Sequence, residues 1–148
     1  MRFSPDSRHG YVINELGNTV SAFAYDKGRG FLFERDSVPT LPADFDGKSQ
    51  TADLALTPDG RFLYGTNRGH DSIAMFTRDT DSGALAPNGI EPSRAEMPQN
   101  LTITPDGKLL FVVNTTGNLV VAFHIDGSGK LDFSCELEMP APVCSVLA

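Results

Sequence analysis

One pattern is written three times along this chain. Residues 3–26 (FSPDSRHGYVINELGNTVSAFAYD), 56–79 (LTPDGRFLYGTNRGHDSIAMFTRD) and 103–126 (ITPDGKLLFVVNTTGNLVVAFHID) align without a gap. In each, a proline is followed nine residues later by asparagine, nine later by phenylalanine and three later by aspartate. These are Pro5, Asn14, Phe23, Asp26; Pro58, Asn67, Phe76, Asp79; and Pro105, Asn114, Phe123, Asp126. A repeat constrains a fold more than any single motif, because each copy must be one structural unit that buries its faces against its neighbours. The prolines lie 53 and then 47 residues apart, a length that suits four short strands with their turns.

Strands rather than helices follow from the periodicity. Within each copy the apolar residues alternate, or cluster in short runs rich in Val, Ile, Leu, Phe and Tyr, and turn residues bound each run. The Thr-Pro-Asp-Gly turns at 57–60 and 104–107 join an inner strand (52–57, 100–104) to a second (61–66, 108–113). Proline presets φ there, aspartate caps the turn and glycine takes the left-handed position. A third strand is expected over 72–77 and 119–125, and Gly-x-Leu at 30–32, 83–85 and 129–131 opens a fourth. Four antiparallel strands per copy make one blade of a β-propeller. The expectation is therefore an all-β partial propeller of about three four-stranded antiparallel blades, at about 3–49, 50–96 and 97–142. The first inner strand is cut to Arg2 and Phe3, and residues 143–148 form a closing inner strand. Phe23, Phe76 and Phe123 are expected as core between blades.

Composition narrows the function. With 40% apolar and 21% charged residues in 148, the chain is expected to fold around a real core. A net charge of -7 opposes binding to a phosphate backbone, so nucleic acid is not expected as a partner. The first twenty residues hold no apolar run of seven, so neither a signal peptide nor a membrane anchor is expected and the address would be cytoplasmic. Cys135 and Cys144 show no CxxC spacing and are expected as buried, reduced thiols. No metal or other cofactor is expected. The calcium-like run from Asp79 reaches Ile90 where a bidentate glutamate belongs, and His9, His70 and His124 form no HExxH pattern.

On ITPDG, VINELGNTVSAF and LPADFDGKSQTADLALTPDGRFLYGTNRGHDSIAMF the chain resembles the 6-phosphogluconolactonase-like lactonases, a family of seven-bladed propellers that includes carboxymuconate-cyclising enzymes. The likeness covers nearly all of the chain and fits the family's C-terminal three blades. Asn67 to Ile73 is its most specific piece. The resemblance implies metal-independent hydrolysis of 6-phosphogluconolactone to 6-phosphogluconate, in a pocket on one propeller face near the axis. It also implies catalytic roles for the glutamate of an Asn-Glu pair and the arginine of an Asn-Arg-Gly-His run, here Glu15 and Arg68; two further family positions lie before Met1. Where relatives often carry Pro-Arg, this sequence reads Pro98, Gln99, which removes one cation from the presumed phosphate region.

Glu15, Arg68 and Thr115 occupy one column of the repeat and so should rim one face on successive blades, with Asp53, Gln99 and Asn100 entering it from the inner strands. Opening a lactone needs an activated water and a place for negative charge on the carbonyl oxygen. Glu15 is the candidate base, Arg68 the candidate oxyanion or phosphate ligand, and His70, Asp53, Gln99 and Asn100 the candidate substrate contacts. Each residue also has a plainer reading. Glu15 could be a loop residue, and Arg68 and His70 could pair with Asp71. A role repeated in every blade, such as that of Asn14, Asn67 and Asn114, is usually structural. The small anionic lactone is the expected partner. The alternative function is a non-catalytic propeller module for assembly or binding, and the open faces of the terminal blades are expected to favour self-association.

Overall fold

The computed structural model describes residues 1–147; residue 148, the last of the expected closing strand, lies outside the described residues. Twelve strands follow one another: β1 (Arg2–Phe3), β2 (His9–Asn14), β3 (Thr19–Asp26), β4 (Phe31–Pro39), β5 (Gln50–Leu56), β6 (Phe62–Arg68), β7 (Ser72–Arg78), β8 (Leu85–Pro92), β9 (Pro98–Ile103), β10 (Leu109–Asn114), β11 (Leu119–Ile125) and β12 (Leu131–Glu138). They form three four-stranded antiparallel sheets, β1–β4, β5–β8 and β9–β12, each paired in chain order. This is the partial propeller that the repeat predicts.

The turn between inner and second strand is built the same way three times. Thr57 Oγ1 donates to Asp59 Oδ1 at 2.6 Å and accepts from the Phe62 amide, while Asp59 accepts from the Arg61 amide and Gly60 takes φ +73°. Thr104 and Asp106 repeat it around Gly107, and Ser4 and Asp6 around Ser7, which adopts φ +55° without the relief of being glycine. In all three sheets the third and fourth strands slip register just before the repeated phenylalanine, between Ala22 and Phe23, Ala74 and Phe76, and Ala122 and Phe123. A bulge at a fixed place increases the local twist of each blade in the same way.

Each blade presents one row of side chains upstream, toward the preceding blade, and another downstream. Tyr11, Val20, Ala22 and Val38 face Leu54, Leu63, Phe76 and Leu85 across the first seam. Tyr64, Ile73 and Met75 face Leu101, Leu110, Phe123 and Leu131 across the second. The residues of each row stand at the same columns of the repeat, so the two seams are one packing solution used twice. A tyrosine hydroxyl fastens each: Tyr11 donates to the Gly83 carbonyl at 2.8 Å and Tyr64 to that of Gly129 at 3.1 Å. The first seam also holds a buried cation. There Arg78, buried and without a carboxylate partner, donates to Tyr11 Oη at 2.6 Å, His9 Nδ1 at 2.9 Å and the Gly60 carbonyl at 3.1 Å. Phe62 and Ile125 hold the same columns in the second seam.

Three expectations need correction or restatement. Phe76 and Phe123 are buried core, but Phe23 is only half-buried, because among the described residues no blade lies upstream of it. Cys135 and Cys144 are both exposed and unbridged rather than buried; Cys135 stands on β12, the outermost strand of the last blade, and Cys144 on the tail beyond it. Residues 143–147 belong to no sheet, although side-chain hydrogen bonds hold them against β9.

Candidate functional site

Glu15 and Arg68 follow the last asparagine of their second strands, and the equal column brings them to the same rim. Arg68 Nη2 donates to Glu15 Oε1 at 2.5 Å, to the Thr51 carbonyl at 2.9 Å, and Nη1 reaches Gln99 Oε1 at 3.4 Å. Side chains from three successive blades thus meet on one guanidinium. Its side chain is 14% exposed against 60% for Glu15, so the cation is sunk into the rim while the carboxylate reaches solvent. Arg68 Nε is buried with no partner, a donor the fold leaves unused.

The other expected site residues do not join this cluster. His70 turns to its own hairpin, with Nδ1 2.6 Å from Ser72 Oγ and the ring edge-on to Phe45 at 4.6 Å between centroids. Asp71 meets neither Arg68 nor His70 in an ion pair; its carboxylate accepts the Gly69 and Met97 amides at 3.1 and 3.0 Å, tying the hairpin to the approach of β9. Asp53 and Asn100 face each other. Asp53 Oδ2 accepts from Asn100 Nδ2 at 2.8 Å and from the Leu101 amide at 3.1 Å, Asp53 Oδ1 lies 3.6 Å from Arg2 Nη2, and Asn100 Oδ1 accepts the Ser145 amide at 2.9 Å. Arg2, Asp53, Asn100 and Ser145 make a polar row that stitches the inner strands together, and both the acid and the amide are committed to it.

The repeated asparagines are structural. Asn67 Nδ2 donates to the Thr40 carbonyl and Ser72 Oγ, Asn114 Nδ2 to the Ser93 carbonyl, and Asn14 Nδ2 to Thr19 and Ser21. Asn14 and Asn67 bond across the second-to-third turn of their own blades, while Asn67 and Asn114 tie it to the connection from the preceding blade. Two contributors escaped the sequence reading: the Thr51 carbonyl beneath Arg68, and Phe45 against His70. The signal for the second was the longer first period, 53 against 47 residues, which gives the segment before β5 room to fold over the hairpin. There, a side chain on Gly69 would meet the Lys48 carbonyl at 2.5 Å.

Chemically, the cluster offers an exposed carboxylate, a neighbouring fixed guanidinium and an amide. That set can bind and polarise an oxygen-rich anionic or ester group. Among the described residues no three His, Cys, Asp or Glu side chains gather as a metal site, and no helix is long and apolar enough to cross a membrane.

Three four-stranded antiparallel sheets with a polar cluster at their common rim define an arc of a β-propeller. Comparison with known proteins makes the class specific. Residues 1–147 match the family described as lactonase, 7-bladed beta-propeller, and the chain belongs to that family. It is 36% identical over 144 residues to the 6-phosphogluconolactonase of Bacillus subtilis, covering 96% of this chain and 41% of that protein. It is 38% identical over 133 residues to that of Formosa agariphila, covering 87% and 36%. Among solved structures, the periplasmic gluconolactonase of Pseudomonas aeruginosa superposes with a TM-score of 0.90 at 31% identity, covering 96% of this chain and 40% of that one. A protein from Lactobacillus plantarum gives 0.91 at 29%, covering 96% and 42%. The chain therefore spans about two fifths of the length of the curated relatives it matches.

Proposed function

We propose that this chain carries part of a lactone hydrolase of the 6-phosphogluconolactonase type, acting on 6-phosphogluconolactone in sugar metabolism. The observation that carries the reading is the meeting of Glu15, Arg68 and Gln99 from three blades at one rim. Glu15 acts as general base: one carboxylate oxygen is held by Arg68 and the other takes a proton from water. That water adds to the lactone carbonyl carbon, and Arg68 receives the charge that develops on the carbonyl oxygen. The ring carbon–oxygen bond then breaks, the leaving ring oxygen takes the proton from Glu15 to become a hydroxyl, and the new carboxylic acid loses its own proton to solvent as the carboxylate. Gln99 and, further round the rim, His70 contact the substrate. Asp53 and Asn100 are withdrawn from direct contact in this reading, because their hydrogen bonds are used between blades. Relatives that carry the name 6-phosphogluconolactonase support the substrate. A phosphorylated substrate, which its charge keeps from crossing a bilayer, is the ground for proposing a cytoplasmic address.

Hydrolysis of 6-phosphogluconolactone by the chain, compared with Glu15→Gln and Arg68→Ala, tests this. A general base contributes about 100-fold to 10,000-fold and one oxyanion donor about as much. Losses of that order are expected in kcat for both variants, with far-ultraviolet circular dichroism unchanged. Equal rates for all three proteins, or none above the uncatalysed reaction, would leave the second reading: a non-catalytic propeller module. The specific observation in its favour is that Glu15 and Arg68 already neutralise each other at 2.5 Å.

A further inference from the structure

The Arg68 guanidinium can serve Glu15 and Gln99 together only while the sheets that carry them keep their spacing at the rim. Its contact with Gln99 is already long, Nη1 to Oε1 at 3.4 Å, at the outer edge of what a hydrogen bond tolerates. A small displacement of the third sheet against the second breaks it. One residue that the chemistry above does not use, Asp71, grips both sheets at this place.

Asp71 lies in the hairpin between β6 and β7, with φ +53°. One of its carboxylate oxygens, Oδ1, accepts two amides at once, that of Gly69 at 3.1 Å and that of Met97 at 3.0 Å. The first belongs to the peptide unit that leaves Arg68, and the carbonyl of that same unit accepts from Ser49 Oγ at 3.1 Å. The second lies two residues before Gln99. The Asp71 carbonyl in turn accepts the Ser93 amide at 2.9 Å and Ser93 Oγ at 2.8 Å, so a single residue holds both ends of the connection 93–97. Met97 has φ +59°, a left-handed conformation that a residue with a side chain keeps only where its surroundings impose it; the bond to Asp71 supplies part of that constraint. The column is shared. Asn18 and Asn118 occupy it in the other two sheets at φ +48° and +53°, and each bonds the segment leading on from its own blade: Asn18 Nδ2 donates to the Ser49 carbonyl at 3.0 Å, and Asn118 Oδ1 accepts the Ala141 amide at 2.8 Å.

We propose that Asp71 is a positioning residue of the candidate site: its carboxylate is an acceptor shared by the backbone at Arg68 and the backbone entering β9, and it thereby sets the guanidinium against Gln99. Its part in turnover rests on the hydrolase reading above; its part in placement does not. Charge is not the means. The ion pair of Arg68 is with Glu15 and not with Asp71, and an amide oxygen, which also has two lone pairs, can accept the same two N–H groups. The asparagine at this column in the third sheet accepts the corresponding amide. Without the shared acceptor, Arg68 still pairs with Glu15 but no longer presents its N–H groups at one place, and a misplacement of about 1 Å costs up to about 100-fold in rate.

Variants of the full chain test this. Asp71→Gly takes the left-handed backbone without strain and loses the side-chain acceptor; Asp71→Asn keeps an oxygen acceptor and loses the charge; a third protein combines Asp71→Gly with Arg68→Ala. The first readout needs no turnover. The proton–nitrogen NMR resonances of the Arg68 guanidinium, assigned by their loss in Arg68→Ala, should shift and broaden in Asp71→Gly and keep their wild-type positions in Asp71→Asn, with the circular dichroism of the sheets unchanged. With 6-phosphogluconolactone, Asp71→Gly should lose about 10-fold to 100-fold in kcat with KM within about threefold, and Asp71→Asn should stay within about threefold of wild type in both. In the Arg68→Ala background Asp71→Gly should cost nothing further, because it acts through that side chain. Guanidinium resonances indifferent to Asp71→Gly overturn the proposal. So does an Asp71→Asn protein that behaves as the glycine variant, which makes charge the agent, and so does an additive loss in the combined variant. Absence of hydrolysis by every protein counts against the hydrolase reading, and the resonances then decide for or against Asp71 by themselves.

Discussion

The three repeated phenylalanines are an internal experiment in which residue type and strand position are constant and only the neighbour changes. Phe123 is 0% exposed and Phe76 1%, each inserted against the preceding blade, whereas Phe23 is half-buried. Truncation of a fully buried phenylalanine to alanine costs about 3–5 kcal/mol, the transfer of the ring plus the cavity it leaves. For Phe23 the cavity contribution is small, because the ring lines an open face, and only partial transfer remains, about 1–2 kcal/mol. Urea unfolding followed by circular dichroism, at concentrations low enough to keep copies apart, reads these values. With an m-value of about 2 kcal/mol/M, Phe123→Ala and Phe76→Ala should each lower the midpoint by about 2 M and Phe23→Ala by about 0.5–1 M. Equal shifts for all three would refute the account, since the phenylalanine would then pack within its own blade.

Acid should act on the first seam before the rest of the molecule. Burial first and the Arg78 guanidinium second hold the pKa of His9 below its ordinary value, partly offset by Asp6; Arg8 lowers it further and a hydrogen bond with the Ser82 backbone raises it. A histidine whose folded pKa is depressed gives stability that is fully present above its unfolded value of about 6.5 and is lost as pH falls through the folded value. Thermal unfolding scans from pH 7.5 to 5 should therefore show Tm falling toward acid, and His9→Phe, which installs the side chain that the second seam carries at Phe62, should flatten that slope. A slope equal in both proteins would remove His9 from the account. The turn carboxylates Asp6, Asp79, Asp106 and Asp126, all lowered by hydrogen bonds, titrate below this window. Gly129→Ala should cost about 2–4 kcal/mol, because a Cβ there would lie 2.3 Å from the buried ring of Phe62 at φ +80°. Gly127→Ala, with nothing within 4 Å, should stay within about 0.5 kcal/mol in the same urea titration.

Much of the fold is legible in the residues, and the reason is local. Pro-Asp-Gly turns, alternation of apolar side chains and the Gly-x-Leu starts are read out over a few residues, and β5 to β12 fall within two or three residues of their expected places. The site is legible only in part. Glu15 and Arg68 share a column on successive blades, so their meeting follows from the repeat. The direction of His70 depends on Phe45, contributed by a longer connection whose path the repeat does not specify. Asp53 and Asn100 line the inner strands as expected, but the repeat does not reveal that they would be each other's partners across the seam.

The blade, its four strands and its apolar rows are properties of any one copy of the repeat, because backbone conformation and strand periodicity are set by near neighbours in the chain. Whether a given member of a row is buried is not such a property. Phe23 and Phe123 are the same residue at the same column, and Val38 and Leu137 differ by little more than one methylene; only the presence of another blade separates core from surface. Burial and ion pairing are relations between distant segments, so the guanidinium of Arg68 finds the Thr51 carbonyl within its own sheet but acquires the Glu15 carboxylate and the Gln99 amide only once three sheets stand side by side.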